Sequence, residues 1–182
     1  LSESRQAVRT LVLGGIRSGK SRWAETALAD ESEVRYVATG AAADSDPSWA
    51  RRVAAHRERR PASWRTVETA DVAAVLRDGP ATATLVDDLG GWLTATFDRR
   101  GWDGGSVRPD VDELVGAVET FTGRLALVSP EVGLTVVAAT ASGRRFTDEL
   151  GTLNQRLALC CDQVVLVVAG FPVWVKPTKA LS

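Results

Sequence analysis

Apolar and polar positions alternate in blocks along this chain, short apolar or β-branched runs taking turns with stretches of helical period. Thr10–Leu13 reads as a buried strand. Ser21–Ala29 reads as a helix with Trp23, Ala24, Ala27 and Leu28 on one side, and Val34–Ala38 as a second strand. A small polar loop, Ala41–Pro47, leads into a basic helix over Trp49–Arg59, which Pro61 stops. Arg65–Val67 is a short strand, Asp71–Arg77 a helix ended by Gly79-Pro80, and Ala83–Val86 an apolar strand running into Asp87-Asp88. Gly91–Phe97 is helical, and the glycine-rich, charged stretch Arg99–Pro109 is the longest loop expected. Asp112–Arg124 returns to helix, followed by a strand at Leu125–Val128, a helix at Arg145–Leu159 and a strand at Val164–Val168. A hairpin-like return passes through Val173–Val175. This alternation predicts an α/β fold: one domain over 1–182, core about 9–176, with a mainly parallel sheet and helices on both faces.

The composition fits that picture. Of 182 residues, 45% are hydrophobic and 25% charged, enough apolar side chain to build one core. The formal net charge of −1 provides no overall field toward nucleic acid or an acidic membrane. The two cysteines, Cys160 and Cys161, are adjacent and form no framework for disulfides or zinc, so reduced thiols in a cytoplasmic protein are expected. There is no apolar run of about 18 residues, so no membrane span is expected. The first residues, LSESRQAVRT, lack the apolar stretch of a signal peptide.

Chemistry enters at Gly14–Ser21, G-G-I-R-S-G-K-S, between the first strand and the first helix. The spacing G-x-x-x-x-G-K-S in strand–loop–helix context is that of a phosphate-binding loop. Gly14 and Gly19 let the backbone turn its N–H groups toward phosphate, with Gly15, Ile16, Arg17 and Ser18 forming the span between them. The helix beginning near Lys20 adds its positive end. Lys20 would reach the β- and γ-phosphates, and the Ser21 hydroxyl would ligate Mg²⁺. A second magnesium ligand is expected at the end of a neighbouring strand, and Asp87 is the first choice. The loop by itself leaves three readings open: a transferase, an NTP-hydrolysing ATPase or switch, and a non-catalytic nucleotide-binding subunit.

The second informative stretch is Ala55–Glu68, A-H-R-E-R-R-P-A-S-W-R-T-V-E. It holds the only histidine of the chain, His56, beside Arg57, Glu58, Arg59 and Arg60. Read alone, this is a solvated helix face. Beside a phosphate loop, the arginines would neutralise phosphate and a neutral imidazole would be a nucleophile.

Five strings occur in order: G-G-I-R-S-G-K-S-R, Y-V-A-T at Tyr36–Thr39, the histidine string above, E-V-G at Glu131–Gly133, and L-N-Q-R-L-A at Leu153–Ala158. Together they resemble the bifunctional adenosylcobinamide kinase / adenosylcobinamide-phosphate guanylyltransferase family of cobalamin biosynthesis, over roughly residues 10 to 176. The resemblance implies a P-loop NTPase-type (RecA-like) fold and two reactions. An NTP phosphorylates the hydroxyl of the aminopropanol arm of adenosylcobinamide. GTP then guanylates an enzyme histidine, and GMP passes to the cobinamide phosphate. The histidine falls on His56, whose ordinary pKa of about 6.5 leaves it largely neutral near pH 7. The resemblance also implies that Thr39, Gly40, Ala41, Arg57, Glu58, Arg59, Arg60 and Glu68 line the nucleotide site. It implies Mg²⁺, GTP and ATP as small partners, a corrinoid substrate, and a homo-oligomer, a trimer. The chain departs from the family at Pro130, before E-V-G, and at Ala138, where a proline is common. Trp23, Trp49, Trp92, Trp102 and Trp174 read as packing residues, and Asn154 and Gln155 as structural.

Overall fold

The computed structural model describes residues 7–39, 61–134 and 136–177. The basic helix expected at Trp49–Arg59 and the loop before it lie outside the described residues. The described elements, in chain order, are β1 (Arg9–Gly14), α1 (Lys20–Ala27), β2 (Val34–Ala38), β3 (Trp64–Glu68), α2 (Val72–Asp78) and β4 (Thr84–Asp87). Then come α3 (Leu89–Arg100), α4 (Arg108–Glu119), β5 (Leu125–Pro130), α5 (Ala141–Cys160), β6 (Gln163–Val168) and β7 (Phe171–Lys176).

The strands form one seven-stranded sheet in the order β3-β2-β4-β5-β1-β6-β7. All neighbours are parallel except β6 and β7, which form the antiparallel hairpin that the sequence suggested. Central strands are buried on both faces, which is why they read as continuous apolar runs. Along β1, Leu11 packs into one core with α2, α3, α4 and α5, and Val12 into a second core with α1. Leu127 and Val128 of β5, and Val86 and Leu85 of β4, divide in the same way.

Helix ends follow local chemistry. Asp71 caps α2 by accepting from Ala74 N at 3.0 Å, and Thr140 caps α5 by accepting from Gly143 N at 3.1 Å. Helix α4 starts at Arg108 rather than Asp112, because Pro109 suits a first helical turn. It stops at Glu119 rather than Arg124, since Thr122 N and Gly123 N both turn away to bond Pro80 O at 2.8 Å. Helix α3 runs on to Arg100, so the long loop shrinks to residues 101–107. There Arg145 from α5 donates to Trp102 O at 2.5 Å and to Gly105 O, with its guanidinium 4.9 Å over the Phe97 ring. Cys160 and Cys161 are both free, at the end of α5. Lys176 belongs to β7 and caps α5 by donating to Ala158 O at 2.9 Å and Cys161 O at 2.5 Å.

Candidate active site

The site lies at the carboxyl ends of the parallel strands, where open α/β sheets place ligands. Gly14 ends β1 in register with Pro130 of β5. The chain then loops through residues 15–19 into α1. Gly19 sits at φ +93°, a left-handed conformation that glycine adopts without cost, and its Cα side faces Gly170 of the β6–β7 turn. That turn braces the loop, since Gly170 N donates to Ser18 O at 2.7 Å. Within the loop, Ser18 N donates to Gly15 O at 3.2 Å, and Lys20 N to Ser18 Oγ at 3.4 Å. A Cβ on Gly14 would overlap Ser18 Oγ and come within 2.9 Å of the Val167 carbonyl, whereas one on Gly15 would meet nothing within 4 Å. The Ile16 side chain is 96% exposed, so it serves no packing role in the loop.

Asp87, the expected acid, comes beside the phosphate loop by a different route. The expectation was a strand beside β1, but β5 stands between β1 and β4. Even so, Asp87 at the end of β4 reaches the first turn of α1, and Ser21 Oγ donates to its Oδ1 at 3.1 Å. Its other oxygen accepts from the Tyr36 hydroxyl at 2.6 Å. Tyr36 comes from β2, which pairs with β4 in the register Tyr36↔Leu85 and Ala38↔Asp87. The string Y-V-A-T pointed to this strand, but which residue Tyr36 serves depends on strand order, which a sequence does not display. Asp88 plays a different part. Its Oδ1 accepts from Gly91 N at 2.8 Å and caps α3. Burial raises its pKa above the usual aspartate value. The Gly91 N–H pulls it back, the Asp87 charge adds to the rise, and Lys20 lowers it.

Thr39 is buried just past β2, its hydroxyl donating to Asp88 O. Glu68 closes β3 in register with Ala38, at the same end of the sheet. The fold therefore brings Gly14, Gly15, Ile16, Arg17, Ser18, Gly19, Lys20, Ser21, Thr39, Glu68 and Asp87 to one end of the sheet. Gly40, Ala41, His56, Arg57, Glu58, Arg59 and Arg60 lie outside the described residues. Asn154 is structural, as expected: it accepts from Ser129 Oγ at 2.6 Å and donates to Pro130 O at 3.1 Å, tying α5 to the end of β5. A cavity of about 390 Å³ between Trp23, Arg124 and Trp174 opens at the starts of β1, β5 and β6, away from this site.

Ser21 and Asp87 present one hydroxyl and one carboxylate oxygen at the foot of the phosphate loop. That donor set fits Mg²⁺, which takes few protein ligands and completes its shell with phosphate oxygens and water. Among the described residues, no group of three or more His, Cys, Asp or Glu gathers to hold a metal without a substrate. No helix among them is long and apolar enough to cross a membrane.

Comparison with known proteins agrees with the geometry. Among solved structures, the P4 protein from bacteriophage phi6 in complex with ADP matches 97% of this chain and 62% of its own, at TM-score 0.51 and 16% identity. An ATPase from the type III secretion system of pathogenic bacteria matches 88% of this chain and 51% of its own, at TM-score 0.57 and 11% identity. These likenesses establish the P-loop NTPase fold. At the sequence level, the bifunctional adenosylcobalamin biosynthesis protein CobP of Pseudomonas aeruginosa is 42% identical over 93% of this chain and 98% of its own. The bifunctional adenosylcobalamin biosynthesis protein CobU of Salmonella typhimurium is 37% identical over 91% and 98%. A family model described as cobinamide kinase / cobinamide phosphate guanyltransferase matches residues 10–175. The phosphate loop, its acid partner and these matches agree: the chain belongs to the cobinamide kinase / cobinamide phosphate guanyltransferase family of enzymes.

Proposed function

We propose that this enzyme carries out two successive transfers onto a corrinoid and that the residues divide the work as follows. In the first transfer, the phosphate loop grips an NTP, ATP or GTP. A hydroxyl oxygen of adenosylcobinamide bonds to the γ-phosphorus, the bridging bond to the β-phosphate breaks, and the hydroxyl gives up its proton. Lys20 and the N–H groups of Gly14–Ser21 hold the charge that gathers on the β- and γ-oxygens. Ser21 and Asp87 are the protein groups that would hold Mg²⁺, and bound Mg²⁺ supplies further neutralisation of that charge.

In the second transfer, a neutral nitrogen of His56 bonds to the α-phosphorus of GTP and pyrophosphate leaves. A phosphate oxygen of the corrinoid then attacks the same phosphorus, the N–P bond breaks, and free imidazole returns. Arg57, Arg59 and Arg60 supply positive charge near the departing pyrophosphate, and Thr39, Gly40, Ala41, Glu58 and Glu68 complete the nucleotide surroundings. The product is adenosyl-GDP-cobinamide. A cytoplasmic location and a homo-oligomer, a trimer, belong to the same reading, with no role for nucleic acid.

The observation that carries this reading is the meeting of Ser21 and Asp87 beside Lys20, in a chain of this family. Simple NTP hydrolysis has no observation in its favour and would leave His56 idle. Separated assays test the division of labour. His56→Ala keeps NTP-dependent phosphorylation of cobinamide and loses GMP transfer, and Lys20→Ala loses phosphorylation. Loss of both activities in His56→Ala with the fold intact would refute two separable chemistries.

A further inference from the structure

The phosphate loop accounts for the nucleotide and leaves the larger substrate without a surface. A corrin macrocycle is a broad ring edged with methyl and amide groups, and its hydroxyl arm must reach the γ-phosphate. Its platform must therefore border the phosphate loop and be apolar without strong charge.

The segment after β5 meets both conditions. Glu131 N donates to Gly14 O at 3.1 Å, so the chain leaving β5 is fastened to the first residue of the phosphate loop. Leu134 is three residues further on, so its backbone lies no more than about 11 Å from that anchor. Glu131 Oε1 accepts from Gly133 N at 2.6 Å, which spends that carboxylate oxygen on the local turn. At the far end, Arg144 donates to Ala138 O at 3.1 Å and to Ala139 O at 2.9 Å, holding the segment against the capped start of α5. Between these anchors, Leu134 is 80%, Val136 93% and Val137 79% exposed. The twelve residues Val132–Gly143 include no charged side chain. Ile16, nearly fully exposed, stands two residues past Gly14 on the same loop. Apolar side chains held out from an anchored backbone are the mark of a binding surface.

We propose that Leu134, Val136 and Val137, with Ile16 beside them, form the platform for the corrin ring, presenting its hydroxyl arm to the phosphate loop. This rests on the kinase reading above. The occupant is the corrinoid and not a second subunit, because the segment borders the loop that delivers the phosphoryl group and offers no charges for a protein rim. The other exposed apolar strip, Phe171, Val173 and Val175, lies on edge strand β7, whose backbone edge suits pairing with protein.

The test compares wild type, Val136→Ser/Val137→Ser, Leu134→Ser and the β7 control Val173→Ser. Cobinamide binding is measured by equilibrium dialysis with corrin absorbance, alongside kinase kinetics, thermal melting and size-exclusion chromatography. The expected result is a tenfold or greater rise in cobinamide Kd and KM for the platform variants. Their nucleotide KM, melting temperature and oligomeric state stay as in wild type, and Val173→Ser binds normally. Wild-type cobinamide affinity in the platform variants overturns the platform alone. An equal loss in Val173→Ser, or loss that tracks subunit dissociation, overturns it in favour of an interface between copies. Wild-type protein that neither binds nor phosphorylates cobinamide overturns the platform and the kinase reading together.

Discussion

Ser21 Oγ donates to Asp87 Oδ1 at 3.1 Å, although the strands that lead to these residues are not neighbours. Strand β5 separates β1 from β4, and the gap is closed from both sides. The loop after β1 carries Ser21 over the end of β5, and Tyr36 on β2 holds the second oxygen of Asp87 at 2.6 Å. Both carboxylate oxygens are thus held by protein hydroxyls, which under the proposed function would spare an ordering step when nucleotide binds.

On the proposed reading of Asp87 as a magnesium ligand, Tyr36 acts as a positioning residue. Tyr36→Phe removes one donor to a carboxylate and is expected to destabilise the protein by about 2 kcal/mol. It should lower kinase kcat/KM roughly tenfold, with the loss partly reversed at high Mg²⁺, whereas Asp87→Ala should cost roughly 10²-fold or more at any Mg²⁺ concentration. Magnesium titrations of kinase rate separate the cases. A Tyr36→Phe enzyme with wild-type Mg²⁺ dependence would assign Tyr36 to packing alone.

The two leading glycines of the loop are not equivalent. Gly14→Ala drives a Cβ into Ser18 Oγ and the Val167 carbonyl, so nucleotide affinity should fall by roughly tenfold or more, by the usual 1–3 kcal/mol cost of overpacking. Gly15→Ala enters open space and should bind nucleotide within about twofold of wild type, as surface changes generally do. Titration calorimetry with a non-hydrolysable NTP analogue distinguishes them, and equal losses would place Gly15 in the cradle with Gly14.

Asp88 gives a pH signature. Burial first, and then the neighbouring Asp87, raise its folded pKa above the unfolded value. The folded state therefore binds the proton more tightly. Its contribution to stability is present below the unfolded pKa of about 3.9 and is lost as pH rises through the folded pKa. Asn keeps the capping oxygen and carries no charge. Asp88→Asn should melt at or above wild type at pH 7, with the difference closing as pH falls toward about 4. Asp88→Ala loses the cap and should cost about 1 kcal/mol. Melting curves across pH without nucleotide or metal make the comparison, and an Asp88→Asn protein weaker than wild type only at neutral pH would reverse the sign.

How much of this was legible in the sequence differs from one element to the next. Val34–Ala38 was read at its observed bounds, because the strand formers Val34, Tyr36 and Val37 lie together between polar segments. Asp87 was legible because an apolar run ends on it. Asp88 was not legible as a cap, because α3 starts two residues earlier than its apolar pattern suggested and its first turn contains Gly90 and Gly91. Tyr36 and the intervening β5 were hidden for one reason: strand order is a property of the whole sheet. The start of α4 was missed because the charges at Arg108 and Asp110, on either side of Pro109, resemble a loop until Asp110 is seen to bind Arg99 at 2.6 Å and Arg100 at 2.9 Å. His56 was singled out through its string, and its proposed role as nucleotide carrier comes from the family resemblance, because the chemistry of the stretch read alone suggests only a solvated helix face.

That role is open to one direct measurement. The enzyme is incubated with magnesium and GTP labelled at the α-phosphate, denatured, and examined for protein-bound label. Label should remain on wild type, survive base, be released by acid, and vanish in His56→Ala. Absence of label on wild type, or label persisting unchanged in His56→Ala, would contradict a guanylyl-histidine at His56.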